Sequence, residues 1–373
     1  MTAWSIGTAK AKRGEITTGW FDAVELPTGD CDRFPVIIAQ GRSEGPTFWV
    51  TASIHGGEHS GLVAAQRLAT PELVARLRGT LIIVPTLNPA GLRTKERSPY
   101  YLIGDPNRLF PEPCRTERRE EERKEEDGPP SALETAYRRF YETIAATQPI
   151  ALLDLHTAQI GSLPMILRDP VFYTRGRGGL RSRAEAQALH KRLDTLLDAF
   201  GFTVINEFVA DSYISKSLHR SVSGAVLNGL GIPSATVELG SWMHVDAGVV
   251  EACLAGLRNA LRWAGMLDDA PEPIEGIAVI RPPYAVRRHQ HPHAPYSGVA
   301  LPLVRPGEPV QKGQPLAQMV DIFGRPLGED NGLLRSAYEG FVIGWQHGVV
   351  RYKGEAIMAL AIEDTSEMVV PYP

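Results

Sequence analysis

Cysteine is scarce in this chain. Cys31, Cys114 and Cys253 are the only three in 373 residues, and none has Cys-x-x-Cys spacing. That argues against a disulfide framework and against a thiolate zinc site. Long apolar runs are missing as well. The first residues, MTAWSIGTAKAKRGE, hold no apolar signal core, and no segment approaches the roughly 20 apolar residues that span a bilayer. The expectation is a cytoplasmic, reducing location with no membrane partner. An excess of one charge sign is also lacking: the formal net charge of -4 leaves no electrostatic footprint for nucleic acid. What remains is an ordinary globular composition, long enough for about two domains with a core each.

From about residue 35 to 267, short apolar runs alternate with longer helical patterns. FPVIIAQG, TFWVTASI, GTLIIVPTLN, PIALLDLHT, FTVINEF and GIPSATVELGS are expected strands. LVAAQRLATPELVARLR, SALETAYRRFYETIAA, AEAQALHKRLDTLLDAFG and AGVVEACLAGLRNALRWAG are expected helices. This alternation predicts an α/β fold with a mixed, mostly parallel sheet flanked by helices on both faces. The run RTERREEERKEED (115–127) mixes both signs, which suits a solvated surface insert. The pattern changes at the Pro- and acid-rich stretch LDDAPEPIEG. Residues 1–270 are therefore read as one domain, and 275–373, with short strands and Gly/Pro turns, as a smaller all-β barrel-sandwich domain. Its phrase PGEPVQKGQPLAQM resembles hairpins of biotinyl- and lipoyl-carrier domains, but no lysine-bearing attachment turn accompanies it.

The chemistry concentrates at strand ends. TFWVTASI runs into HGGEHSG, so His55 and Glu58 stand three residues apart at the carboxyl end of an apolar strand, where open α/β sheets gather ligands. His156, at the end of LLDLHT, is the candidate third metal ligand; two neutral imidazoles and a carboxylate form a common catalytic zinc set. His59 is a rival, but a helix starting there would turn it away. Glu238, in the apolar strand SATVELGS, must be paired or functional, because burying a free carboxylate is costly. Arg97, Asn107 and Arg108 lie in a Gly/Pro-rich loop after LIIVPTL, where arginine suits a carboxylate or an oxyanion.

HGGE (55–58), NPAG (88–91), RSP with DPNRLFP (97–111), DLHT (154–157) and VELG (237–240), in that order, resemble the zinc metallocarboxypeptidase superfamily. Within it they resemble the succinylglutamate desuccinylase/aspartoacylase family, and the β-rich end is similar to that family's C-terminal domain. The resemblance implies one Zn2+ per chain, held by His55, Glu58 and His156, with Glu238 as general base and proton shuttle. It implies Arg97 at the substrate carbonyl and developing oxyanion, and Asn107 and Arg108 on a substrate carboxylate. It also implies Asp105 as the hydrogen-bond acceptor that fixes the first histidine's tautomer. Asp154 competes for such a role, because period-2 alternation puts it on the face of His156. The implied activity is zinc-dependent deacylation of a small N-acyl amino acid or related amine: Glu238 deprotonates the attacking water and returns the proton to the leaving amine. A peptide carboxypeptidase, an esterase using the same site, and a non-catalytic zinc- or ligand-binding protein are the alternatives. The expected partner is a small N-acyl molecule, with a homo-oligomer allowed.

Overall fold

The computed structural model of the protein describes residues 5–113, 129–159, 161–174 and 180–372. The charged run 115–127 lies outside them.

The first 270 residues give the main sheet eight strands: β1 (Ile16–Glu25), β2 (Cys31–Gln40), β3 (Ser43–Ala52), β4 (Arg78–Val84), β5 (Ala151–Ala158), β6 (Met165–Arg168), β7 (Thr203–Asn206) and β8 (Ser234–Ser241). The rest of the chain adds β9 (Val286–Gln290), β10 (Gly298–Pro302), β11 (Pro309–Val310), β12 (Pro315–Val320), β13 (Leu333–Arg335), β14 (Gly340–Trp345), β15 (Val350–Arg351) and β16 (Met358–Glu363). Twelve of these form one sheet in the order β11-β14-β16-β9-β7-β6-β8-β5-β3-β4-β2-β1. Its middle is mostly parallel, with β5 between β3 and β8 and β4 beyond β3. Both ends are antiparallel.

The apolar strands are buried on both faces, as a sheet covered by helices requires. Phe48, Val50 and Ala52 of β3 pack into a core with α1 (His59–Leu68), α5 (Arg183–Phe200) and α6 (Ala247–Trp263). Trp49 points the other way, edge-on to Phe140 of α4 (Ala132–Ala146), and its indole N–H donates to Thr147 Oγ1 at 2.8 Å. Both α4 and α5 start at a serine whose side chain and a glutamate three residues on cap each other reciprocally, Ser131 with Glu134 and Ser182 with Glu185. The expected helix LVAAQRLATPELVARLR is two helices, α1 and α2 (Pro71–Arg76). Pro71 cannot continue α1, and Thr70 caps the new start by accepting from the Leu73 N–H.

The region after residue 275 is all-β, as expected, and among the described residues its sheets do not close into a barrel. β10, β12, β13 and β15 form a four-stranded sheet, while β9, β11, β14 and β16 extend the main sheet. The two are joined to the first 270 residues at β7–β9, where Asn206 pairs with Arg287. Around that seam Asn206 Nδ2 donates to Asp364, which also pairs with Arg287. The α3 helix (Pro89–Thr94) and a short 3-10 turn, Pro106–Arg108, complete the elements that shape the site.

Candidate metal centre and active-site pocket

At the end of β3 the chain must leave the sheet and turn two side chains back toward it. Ser53 takes a left-handed φ of 49° to begin this turn. Its hydroxyl donates to the Glu58 carbonyl at 2.9 Å, and Thr86 Oγ1 donates to the Ser53 carbonyl at 3.1 Å. Strain of this kind persists only where surrounding bonds impose it. The two glycines of HGGE serve close approach. A Cβ at Gly56 would lie 2.0 Å from the Gly91 carbonyl carbon, and one at Gly57 would lie 2.2 Å from the Trp242 ring. Gly91 belongs to NPAG, whose Asn88 caps α3 through the Gly91 N–H and donates to the carbonyls of Ile54 and Arg97. One asparagine therefore ties the HGGE turn to the start of the arginine loop.

Alternation along β5 and β8 does the rest. Leu153 and Leu155, with Val237 and Leu239, enter the core beside α1 and α6, so Asp154, His156, Thr236 and Glu238 share the opposite face. The parallel register sets Glu238 beside His156 and Thr236 beside Asp154. Gly240, at a left-handed φ of 75°, carries the irregularity that ends this pairing.

His55, Glu58 and His156 are all buried, and their ligand atoms lie within 4.8 Å of one another. His55 Nδ1 is 2.8 Å from Glu58 Oε1, and His156 Nδ1 is 3.0 Å from Glu58 Oε2. Each ring's other nitrogen is held by its own aspartate: His55 Nε2 donates to Asp105 at 2.8 Å and His156 Nε2 to Asp154 at 2.6 Å. Asp154 in turn accepts from Thr51 Oγ1 at 2.6 Å. Asp105 is braced by the Asn107 N–H and by Arg97 at 2.9 Å. With Nε2 protonated, each neutral ring aims its Nδ1 lone pair at a carboxylate oxygen that also has only lone pairs. Glu58 Oε2 is accordingly buried without a hydrogen-bond partner, despite its 3.0 Å approach to His156. The cluster thus demands a proton or a cation at its centre, and its donor set fits a divalent zinc-like ion.

The electrostatics follow the same geometry. Burial opposes ionisation of Glu58, but the two histidines outweigh it and hold this carboxyl at about 2. Burial likewise disfavours the charged form of His156, yet Glu58 and Asp154 together raise it well above the usual histidine value. Asp105 is held far below the ordinary carboxyl range: burial acts against this, and the His55 hydrogen bond with the charges of His55, Arg97 and Arg108 prevails. Glu238 goes the other way. Burial raises it, and its Oε2 has no hydrogen-bond partner among the described residues.

Arg97 and Arg108 line the pocket with Glu238. Arg97 is half exposed and bonded to Asp105, while Arg108 Nε and Nη1 donate to the carbonyls of Lys216 and Asn107 at 2.9 and 2.6 Å. Asn107 also lines the pocket, but its side-chain oxygen accepts from the Val222 N–H at 2.9 Å, fixing the loop. His59 begins α1 and stands outside the metal cluster. The cavity holds about 160 Å³, and part of its wall comes from beyond residue 275: Arg288 and Gln290 on β9, with Gln346 and His347 after β14. Arg288 grips Glu207 through both carboxylate oxygens, at 2.6 and 2.8 Å. No periodicity points to these residues in the sequence; RRHQHPH resembles any polar edge strand. Asp169, just after β6, is a further pocket residue with no motif around it.

A buried His-Glu-His cluster able to hold a metal ion thus lies at the strand ends of an α/β sheet, beside the buried carboxyl of Glu238. The description "Succinylglutamate desuccinylase/Aspartoacylase catalytic domain" matches residues 44–264, and the chain belongs to this family of deacylating hydrolases. Over 77 residues it is 35% identical to N-alpha-acetyl-L-2,4-diaminobutyric acid deacetylase of Halomonas elongata, a match spanning 21% of this chain and only 22% of that protein. Two solved structures share the fold. A succinylglutamate desuccinylase/aspartoacylase from Rhodobacter sphaeroides has a TM-score of 0.71 at 20% identity, covering 94% of this chain and 96% of that one. The product-bound ectoine utilization protein EutE (DoeB) from Ruegeria pomeroyi has a TM-score of 0.70 at 20% identity, covering 93% and 95%.

Proposed function

We propose that the protein is a zinc-dependent amidohydrolase that deacylates a small N-acyl amino acid or related amine. His55 Nδ1, Glu58 and His156 Nδ1 would hold the ion. When bound, zinc polarises a carbonyl and brings the pKa of a water from about 15.7 toward about 7. Glu238 takes that water's proton and returns it to the leaving nitrogen; its raised pKa suits a group that must both accept and give. Arg97, half exposed at the pocket rim, reaches the acyl oxygen as negative charge develops. Arg108, with Asn107 anchoring its loop, faces a substrate carboxylate. Asp105 and Asp154 keep the two Nδ1 atoms unprotonated and aimed.

The observation that carries this reading is Glu238: a buried carboxylate oxygen without a partner, in register with a metal-site histidine, is needed for proton transfer and not for metal binding alone. A pocket walled by β9 and the β14 turn favours a small molecule over a peptide chain. We read residues 275–373 as the module that supplies this wall. The test is turnover of N-acetyl and N-succinyl amino acids by protein of known zinc content, before and after chelation. Hydrolysis that disappears on chelation and returns with zinc is expected. No hydrolysis of any amide at full zinc occupancy would overturn the reading in favour of a binding protein.

A further inference from the structure

Four carboxylates line the cavity: Glu58, Asp169, Glu207 and Glu238. Three are accounted for. Glu58 faces the two histidines, Glu238 is the proton carrier, and Glu207 is neutralised by Arg288. Asp169 is left over. It is only 3% exposed, yet it lies within 4 Å of no lysine, arginine or histidine nitrogen among the described residues. Its near neighbours are neutral: Ser223 Oγ donates to Oδ2 at 2.8 Å, and the Tyr213 hydroxyl stands against the same carboxyl. Arginine could have been placed there, as it was for Glu207 one strand away. Burying an ionised carboxylate without a counter-charge is costly, so such a group in a binding cavity calls for a cation brought from outside.

Its position says which part of a substrate would bring it. Ser223 Oγ lies 3.0 Å from Thr236 Oγ1, and Thr236 precedes Glu238 by two residues on the same face of β8. One such step along a strand is about 6–7 Å. Asp169 therefore sits about one such step from Glu238, toward the amino end of β8, within reach of the amine half whose nitrogen Glu238 would protonate. Resting on the deacylase reading above, we propose that Asp169 is a specificity determinant that binds a positively charged group on the amine half of the substrate. The favoured substrates are then N-acyl derivatives of diamino acids, with the second amino group free. Burial, and secondarily the charge of Glu207, move the Asp169 carboxyl up to about 7, so an arriving ammonium would be met by a group ready to ionise.

The experiment uses an isosteric pair: N-acetyl-L-2,4-diaminobutyrate with its side-chain amine free, and N-acetyl-L-norvaline, in which a methyl replaces that ammonium. The zinc-loaded enzyme should favour the diamino substrate in kcat/KM by 10-fold or more. In Asp169→Asn the ratio between the two substrates should collapse toward one, by roughly 10- to 150-fold, the range for a charged hydrogen bond. Calorimetric binding of the free amino acids, 2,4-diaminobutyrate against norvaline, tests the same preference without turnover. Failure to hydrolyse either amide would refute the deacylase reading, while tighter binding of the diamine, abolished by Asp169→Asn, would still uphold the assignment of Asp169. Equal binding of the pair by the unaltered enzyme, or a preference that survives Asp169→Asn, would overturn it.

Discussion

Asp154→Asn perturbs the metal site with a sign that depends on pH. Asp154 is fully buried, accepts from Thr51 on one oxygen and from His156 Nε2 on the other, and has no further hydrogen-bond partner among the described residues. An asparagine that keeps its oxygen toward Thr51 presents an N–H to His156, forcing the ring to protonate Nδ1, the atom facing Glu58. Flipped, it accepts from His156 but lacks the charge that makes the ring a strong donor. Loss of a carboxylate behind a metal histidine costs roughly 10- to 100-fold in metal affinity, which is about 1.4–2.7 kcal/mol. The same carboxylate, however, also raises the affinity of His156 for a proton, the competitor of the metal. Removing it weakens both. Proton competition grows as the pH falls, so the loss is larger in alkaline solution, and in acid the weaker competition for the variant's His156 offsets part of it. Zinc dissociation constants measured by chelator competition at pH 9 and pH 6 should show a loss of one to two decades that narrows at the lower pH. A loss of equal size at both, or unchanged affinity at pH 9, would refute the reasoning.

Glu238→Gln should retain zinc but lower kcat by roughly 10²–10⁴-fold, as a steady-state assay beside metal analysis would show; near-normal turnover would leave Glu238 structural. Gly56→Ala places a methyl on the Gly91 backbone, where neither segment can rotate away, so stability should fall by about 1–3 kcal/mol or more in denaturant titration and zinc affinity should fall with it. Asp169→Asn should stabilise the ligand-free fold at pH 8 and not at pH 4. Its folded carboxyl titrates at about 7 against an ordinary 3.8, so the native state holds the proton more tightly and the wild type loses stability as pH rises through this window, by at most about 4 kcal/mol. Thermal melts of both proteins at the two pH values check this, and a gain that is independent of pH would contradict it.

Strand ends made much of the site legible in the sequence. His55, His156 and Glu238 each close an apolar run, and parallel pairing of those runs brings them together without any long-range information. The face of Asp154 followed from counting by two. Asp105 and Asp154 looked like rivals because the sequence does not show that each histidine has its own acceptor. The split of α1 from α2 was written in Thr70–Pro71, a cap and a breaker that helical periodicity alone passes over. β1 was missed because ITTGWFDAVE alternates too weakly to mark a strand; it is half exposed at the sheet edge. Arg288, Gln346 and His347 were beyond reach for a different reason. They arrive through pairing of β9 with β7 and β16, and nothing local records a partner that far along the chain.

That late pairing gives the protein a history on the ribosome. His55, Glu58 and His156 have been synthesised by residue 156 and Glu238 by residue 238, but His347 follows 109 residues later (347 − 238), about 5–20 s at ordinary elongation rates. A nascent chain can thus assemble its His-Glu-His cluster while β7 is still an open edge, with a row of unpaired backbone groups ready for any passing strand. When β9 docks, one event both seals that edge and raises the wall of the pocket. A chain broken off near residue 270 would leave its His-Glu-His cluster in the open and keep the adhesive edge.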